Sequence, residues 1–205
     1  RVQEQSRTYC LMIEVFDDLL DEGTFDTINR VVSDPLFTWM YNSNTLTNFD
    51  IPDDKDVPQM VRCIMLDTGA EEHTDTETQI LNEYIKKYPE FYSIAEKAIE
   101  RSEQLFSGVD SFLRIKCNMT MPFLNAPTFN PPHCDTDGEG YKSLIFYLND
   151  SDGDTFFFGE DNRTVTPKAN RGVFFDAYHK HSSSSPKQTR RRLIVNTVFK
   201  PIPGE

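Results

Sequence analysis

Apolar positions change period near the middle of the chain. Ahead of Gly108 they recur three and four apart; beyond it they alternate, or form short blocks broken by Gly, Pro, Asn and Asp. Tyr9 to Phe16 (YCLMIEVF) is a β-prone run that predicts a strand, and from about Asp21 the spacing Phe25, Ile28, Val31 and Val32 predicts a short helix. The polar cluster Asn42 to Asp56 predicts a turn region before a second apolar run, Met60 to Leu66. Residues 74–87 and 90–106 have helical spacing. The second carries Phe91, Ile94, Ala95, Ala98, Ile99 and Leu105 on one stripe, with Gly108 as its stop. A stripe of this kind marks a scaffold helix burying one face.

The second half predicts strands at 111–119, 141–149, 154–158, 163–167, 171–176 and 191–200, a spacing that suits a β-sandwich or barrel. There is no internal repeat, and Ser182 to Ser185 is the one low-complexity patch. With 205 residues, 38% of them hydrophobic, the chain can bury one substantial core, so a single domain is expected over 1–205. Within it, a strand-and-helix half at about 9–107 packs on a β-rich half at about 110–200.

Charge narrows the partners. Lys and Arg total 21 against 33 Asp and Glu, a net charge of −12, which on average repels nucleic acid and anionic membrane surfaces. No apolar run approaches the roughly 20 residues that cross a bilayer. The four cysteines, Cys10, Cys63, Cys117 and Cys134, form no C-x-x-C pair, so reduced thiols in a cytoplasmic protein are expected.

Candidate chemistry sits in the β-rich half, which holds His133, His179 and His181 of the four histidines. In PPHCDTDGEGYKS (131–143), His133 and Asp135 are two residues apart, so in an extended strand they project to one face while Cys134 points away. A third imidazole from another strand would complete a two-histidine, one-carboxylate facial triad, which leaves positions open on Fe(II). An isolated H-x-D is a weak signal, and NRGVFFDAYHKHSSSSPKQTRRRLIVNTVF (170–199) strengthens it. There an apolar strand ends at Asp176, two histidines and Pro186 follow, and Arg190, Arg191 and Arg192 open another apolar strand. A guanidinium so placed can grip a buried carboxylate through two parallel hydrogen bonds.

This order of H-x-D, distal histidine and arginine at the head of the next strand, over about residues 110–200, resembles the 2-oxoglutarate/Fe(II)-dependent oxygenase family, in particular its prolyl-hydroxylase-like branch. SLIFYLNDSDGDTFFF (143–158) is similar to the passage that follows the H-x-D there, and IEVFDDLLDEGTFDTI is similar to its strand-then-helix lead-in. The resemblance implies an α+β fold: a double-stranded β-helix, or jelly roll, with N-terminal helices packed against it and iron at its mouth. His133 and Asp135 match the first two metal ligands, with Asp137 on the same face as a weaker candidate. Phe175-Asp176 and Pro186 select His181 as the third, with His179 as the alternative. The partner of the 2-oxoglutarate carboxylate is one of Arg190, Arg191 and Arg192. Arg192 fits, sharing a face with Asn196, whereas Arg191 is expected outward with Val195 and Thr197. Ser143 and Tyr147 share a face where the family places co-substrate contacts, Tyr147 being either a hydroxyl donor or a half-buried core tyrosine. Asn118 could reach the site, and Arg114 and Lys116 could meet a substrate. MTMPFLNAPTFNPPH lacks an identifiable counterpart of the tyrosine found ahead of the H-x-D in prolyl hydroxylases.

The activity implied is a dioxygenase, specifically a hydroxylase, using Fe(II), 2-oxoglutarate and O2, with ascorbate as an auxiliary reductant. It would couple decarboxylation of 2-oxoglutarate to succinate with C–H hydroxylation of a protein side chain or a small molecule. Asp135 argues against halogenation, because halogenating members carry a small residue there. Two rival readings remain: a cupin-like metal enzyme that does not use 2-oxoglutarate, and a non-enzymatic jelly-roll binding module. Substrate-facing walls are expected from loops 36–58 and 120–131.

Overall fold

The computed structural model describes residues 13–46, 55–67, 84–159 and 162–204. Its larger sheet has seven antiparallel strands. In chain order these are β1 (Glu14–Phe16), β2 (Met40–Asn42), β3 (Gln59–Leu66), β4 (Phe106–Thr120), β5 (Lys142–Tyr147), β8 (Arg171–Asp176) and β10 (Arg192–Pro203), and in space they run β1-β8-β5-β10-β4-β3-β2. The smaller sheet, ordered β7-β6-β9, is built from β6 (Thr155–Phe157), β7 (Arg163–Val165) and β9 (His181–Ser183). Two helices are described in full, α1 (Glu22–Ser33) and α2 (Glu90–Arg101).

The period-2 pattern of the second half explains how the strands divide their faces. On β5, Leu144 and Phe146 belong to the large core shared with the helices, while Ile145 and Tyr147 belong to a second, smaller core. On β8, Phe174 faces the large core, and Val173 and Phe175 face the small one. Leu193, Val195 and Phe199 of β10 likewise join Ile28, Val32, Phe91, Ile94 and Ala98 of the helices. Central strands buried on both faces read as near-continuous apolar runs, as β5, β8 and β10 do. Two sheets with helices covering the outer face of the larger one make a double-stranded β-helix of α+β class.

Several expectations need correction. The first half contributes more strand than expected: besides β1, which lies in the expected Tyr9 to Phe16 strand, β2 and β3 also extend the main sheet, with Val61 opposite Asn118. Within the expected turn cluster, Asn42 is the last residue of β2. Helix α2 stops at Arg101 rather than 106. Glu14 draws the next residues out of helical geometry, its carboxylate accepting from the Ser102 hydroxyl at 2.7 Å, the Glu103 amide at 2.8 Å and the Gln104 side-chain amide at 2.8 Å. Leu105 is consequently exposed, and Phe106 opens β4. Residues 84–87 are helical as expected. The remainder of the 74–87 helix, and Tyr9 to Met12 of the first strand, lie outside the described residues.

Helix α1 starts where Asp21 caps it, accepting from the Thr24 amide at 3.0 Å. It ends just ahead of Asp34-Pro35, where the proline disfavours helical geometry in the residue before it.

Candidate active site

Pro131 and Pro132 offer no N–H, so the segment they belong to cannot lay down a regular ladder. It nonetheless follows β9: the Asn130 amide donates to Ser183 O at 2.7 Å, and His133 and His181 exchange backbone hydrogen bonds of 2.9 and 2.8 Å as an isolated bridge. Past that bridge the Asp135 amide donates to Ala177 O at 2.8 Å. The expected strand carrying H-x-D is therefore an extended segment pinned at separate points, and the pinning sets His133 directly against His181.

The imidazole rings of His133 and His181 lie 4.6 Å apart, and His181 Nε2 is 3.7 Å from Asp135 Oδ2. Ligand atoms from His133, Asp135 and His181 all fall within 4.8 Å of one another. Each histidine turns Nδ1 toward a backbone carbonyl, His181 to His179 O at 2.9 Å and His133 to Pro131 O at 3.3 Å. A donor Nδ1–H leaves the Nε2 lone pair free, the arrangement that orients a metal-ligating histidine. Burial, reinforced by the neighbouring His181, pushes His133 down to about 4, so its ring is neutral and able to ligate at neutral pH. Two imidazoles and one carboxylate fit a divalent iron better than a softer, thiolate-preferring metal.

Asp135 is 4% exposed at the side chain and is heavily partnered. Arg114 donates to Oδ1 at 2.9 Å, while the Ser143 hydroxyl and the Asn196 amide donate to Oδ2 at 2.7 and 3.1 Å. Burial by itself would raise this carboxyl; the attraction of His181, Arg114 and His133 and the Ser143 hydrogen bond outweigh it and hold the group well below the usual range.

A second polar cluster lies along β10. Arg192 is 3% exposed and donates to Thr155 Oγ1 at 2.8 Å, and the Tyr147 hydroxyl sits 2.7 Å from the same oxygen. Its guanidinium lies over the Tyr147 ring, 5.5 Å from the centroid. Among the described residues Arg192 has no salt bridge, and its Nε has no hydrogen-bond partner. Gly153 makes this packing feasible, because a Cβ there would come within 2.8 Å of Ser184 O and 3.1 Å of Arg192 Cδ. Burial lowers the Arg192 pKa, yet a guanidinium stays protonated in protein interiors. A buried cation without a salt-bridge partner among the described residues is what a ligand carboxylate would satisfy.

One small cavity is lined by the His133, Asp135 and His181 cluster together with Arg192, Thr155 and Asn196. Ile145 and Ile194 line it as well and belong to the small apolar core, so its wall is part dry and part polar.

The candidate residues fall into place unevenly. His181 is in the cluster, whereas His179 is buried edge-on against Phe157, with ring centroids 5.5 Å apart, and is not an exposed loop residue. Asp137 is outside the cluster. Arg190 and Arg191 are exposed. Val195 and Thr197, expected outward, are fully buried, because that face of β10 meets the helices rather than water. Tyr147 is wholly buried and touches the site through Thr155 and Arg192. Ser143 and Asn196 bond to Asp135 itself, and Arg114, expected to face a substrate, pairs with that same acid. Asn118 lines the cavity and donates to Gln59 Oε1 at 2.8 Å, leaving its buried Oδ1 without a partner among the described residues. Lys116 lines the cavity too, and burial, with Arg114 nearby, pushes it down to about 8.

Thr155, Gln59 and Thr45 were not singled out from the sequence. Thr155 lies in the G-x-T of the 143–158 passage and was legible there; Gln59 and Thr45 come from the first half, where no motif marks them.

No family model matches the sequence, and no curated protein sequence does either. Solved structures do match the fold. A 2OG-Fe(II) oxygenase family oxidoreductase from Burkholderia pseudomallei is 12% identical, with a TM-score of 0.60 over 94% of this chain and 87% of that one. A prolyl-4-hydroxylase from Pseudomonas putida is 18% identical, with a TM-score of 0.54 over 93% of this chain and 94% of that one. The nogalamycin-biosynthesis epimerase SnoN, solved with Fe3+, alpha ketoglutarate and nogalamycin RO, is 12% identical, with a TM-score of 0.57 over 93% of this chain and 79% of that one. The chain therefore has the jelly-roll fold of 2-oxoglutarate/Fe(II) oxygenase structures, prolyl hydroxylase among them.

Proposed function

We propose that this chain is a 2-oxoglutarate- and Fe(II)-dependent oxygenase of the hydroxylase type, with His133, Asp135 and His181 as metal ligands and Arg192 as the anchor of the distal 2-oxoglutarate carboxylate. The observation that carries the proposal is that a His-Asp-His donor cluster and a buried arginine without a salt bridge line the same cavity. A cupin-like enzyme without 2-oxoglutarate, or a passive binding module, leaves that arginine without a purpose. The overall balance is one C–H bond, one O2 and one 2-oxoglutarate converted to one C–OH, one succinate and one CO2.

Bound Fe(II) supplies the redox chemistry with O2 that no side chain of this set can perform. The chain's own residues hold and orient. Arg192 fixes the diacid at its distal end, with Thr155 and Tyr147 locking the guanidinium in place. Arg114, Ser143 and Asn196 keep Asp135 ionised and fixed in orientation, and the Pro131 and His179 carbonyls fix both imidazole tautomers. Ile145 and Ile194 exclude water from one wall.

Ser143, Asn118 and Asn196 act in this scheme as supports around the metal ligands and co-substrate rather than through a shared contact. The strands β1, β2 and β3 complete the sheet that carries the site, so the described residues are taken as one domain. The substrate in this reading is a protein side chain or a small molecule, and ascorbate would serve as an auxiliary reductant. No helix among the described residues is long and apolar enough to cross a membrane. Free Cys63, Cys117 and Cys134 fit a reducing, cytoplasmic setting.

The direct test is succinate formation from 2-oxoglutarate under O2 with Fe(II). Product that depends on the metal and vanishes in Asp135→Ala supports the proposal; iron binding with no succinate under any substrate panel removes it.

A further inference from the structure

We propose that Lys116 is the substrate anchor of this site and that the substrate it selects carries a carboxylate near the carbon to be oxidised. The proposal rests on the oxygenase function argued above and goes beyond it by naming the substrate's charge.

Strand register places the lysine. Lys116, Asn118 and Thr120 of β4 stand opposite Asn196, Ile194 and Arg192 of β10, and all six line the cavity. Lys116 is thus four residues along the strand from the position facing Arg192, about 13 Å of backbone at about 3.3 Å per residue. The two cations stand at opposite ends of one wall, with Asn196, a hydrogen-bond partner of Asp135, at the Lys116 end. A five-carbon diacid reaching from Arg192 toward the metal ligands leaves Lys116 beside the region where a substrate must sit.

Among the described residues no carboxylate pairs with Lys116. Asp135 is the sole carboxylate among the described residues that line the cavity, and its oxygens are occupied by Arg114, Ser143 and Asn196. Lys116 makes no salt bridge or hydrogen bond with any described residue; its interactions there are longer-range ones with Arg114, Asp135 and Cys63. A half-buried ammonium without a hydrogen-bond or salt-bridge partner among the described residues is an unfavourable feature of the empty site, and an incoming carboxylate relieves that cost. In a chain of net charge −12, this cavity carries Lys116 and Arg192, with Arg114 against Asp135, so it is a cationic pocket in an acidic protein. Such a pocket discriminates against neutral isosteres, because they leave the buried charge unpaired.

The carboxylate could belong to the substrate or to the keto-acid end of 2-oxoglutarate, and the test separates them. The anaerobic Fe(II)–2-oxoglutarate complex of the wild type and of Lys116→Gln is titrated calorimetrically with short fatty acids, L-amino acids and acidic tripeptides, each beside its amide. The expected result is that acids bind the wild type while their amides bind at least about tenfold more weakly. In Lys116→Gln the acids lose about 10- to 100-fold and no longer differ from their amides. The variant's affinity for 2-oxoglutarate, read from the visible band of the same complex, stays within about threefold.

Acids and amides binding alike, or no acid binding at all, overturns the proposal while leaving the oxygenase function standing. Loss of 2-oxoglutarate affinity in Lys116→Gln as large as that in Arg192→Ala overturns it too, by assigning the lysine to the co-substrate. If the wild type forms no Fe(II)–2-oxoglutarate complex, the underlying function fails, and the inference with it.

Discussion

The Arg114 guanidinium donates to Asp135 Oδ1 at 2.9 Å, and the same nitrogen reaches Asn196 Oδ1 at 3.1 Å. One arginine therefore ties the carboxylate to β10 across the sheet. Arg114→Ala should lower Fe(II) affinity about 10- to 100-fold although it removes no ligand, as is usual for partners of metal ligands. Arg114→Lys should fall in between, since a lysine keeps the charge but not the planar guanidinium whose nitrogen bridges Asp135 and Asn196. Anaerobic Fe(II) titration of the two variants measures this, and equal, wild-type affinities would remove Arg114 from the site.

Arg192 and Arg191 are adjacent in sequence and opposite in environment, one 3% exposed and the other on the surface. Removing one partner of a buried charge pair costs about 3 to 5 kcal/mol, so Arg192→Ala should weaken 2-oxoglutarate binding by roughly two to three and a half decades. Arg191→Ala should leave it unchanged. Identical behaviour of the two variants in a 2-oxoglutarate titration would show that the diacid is held elsewhere.

His181 and His179 make a similar pair. His181→Ala should abolish stoichiometric iron binding. His179→Ala should keep iron and lose about 0.5 to 3 kcal/mol of stability through the space it leaves against Phe157. Metal content by elemental assay and a urea melt on each variant separate the two roles; the opposite pattern transfers the third-ligand role to His179.

Asp152 supports the turn that leads into Arg192. Its Oδ2 accepts from the Lys187 and Gln188 amides at 2.9 and 2.8 Å, and its Oδ1 from the Thr189 amide and hydroxyl at 3.0 and 2.7 Å. Burial opposes ionisation here, but the Thr189 contacts and the backbone amides outweigh it and lower the carboxyl below its ordinary 3.8. With the folded-state pKa lowered, the stabilisation is complete above about pH 4 and is lost as pH falls toward the folded value. Asp152→Asn should cost about 1 kcal/mol at neutral pH after solvent screening, and the gap to wild type should close in acid. Urea midpoints measured across that range check the sign; a gap that widens on acidification contradicts it.

The His133, Asp135 and His181 cluster was legible because its signals are local: a two-residue H-x-D spacing, and the flanking Phe175-Asp176 and Pro186 by which the family resemblance selected His181. Arg192 followed from strand parity with Asn196, which the register bears out as a shared cavity wall. The same parity argument failed for Val195 and Thr197, because alternation separates two faces without saying whether the second meets water or helices. The roles of Glu14, Gln59 and Arg114 depend on partners 21 to 90 residues away, and nothing in a one-dimensional pattern carries such pairings. The joining of β3 to β4 was hidden for the same reason, since an apolar run such as Met60 to Leu66 does not name its neighbour.

The most direct measurement is an anaerobic titration of metal-free protein with Fe(II) and 2-oxoglutarate, following the weak visible charge-transfer band that their chelate produces. A band that requires both components, at one iron per chain, and that disappears in His181→Ala is the predicted result. Iron binding without the band, or no iron binding at all, would contradict the assignment of His133, Asp135, His181 and Arg192 to a single 2-oxoglutarate/Fe(II) site.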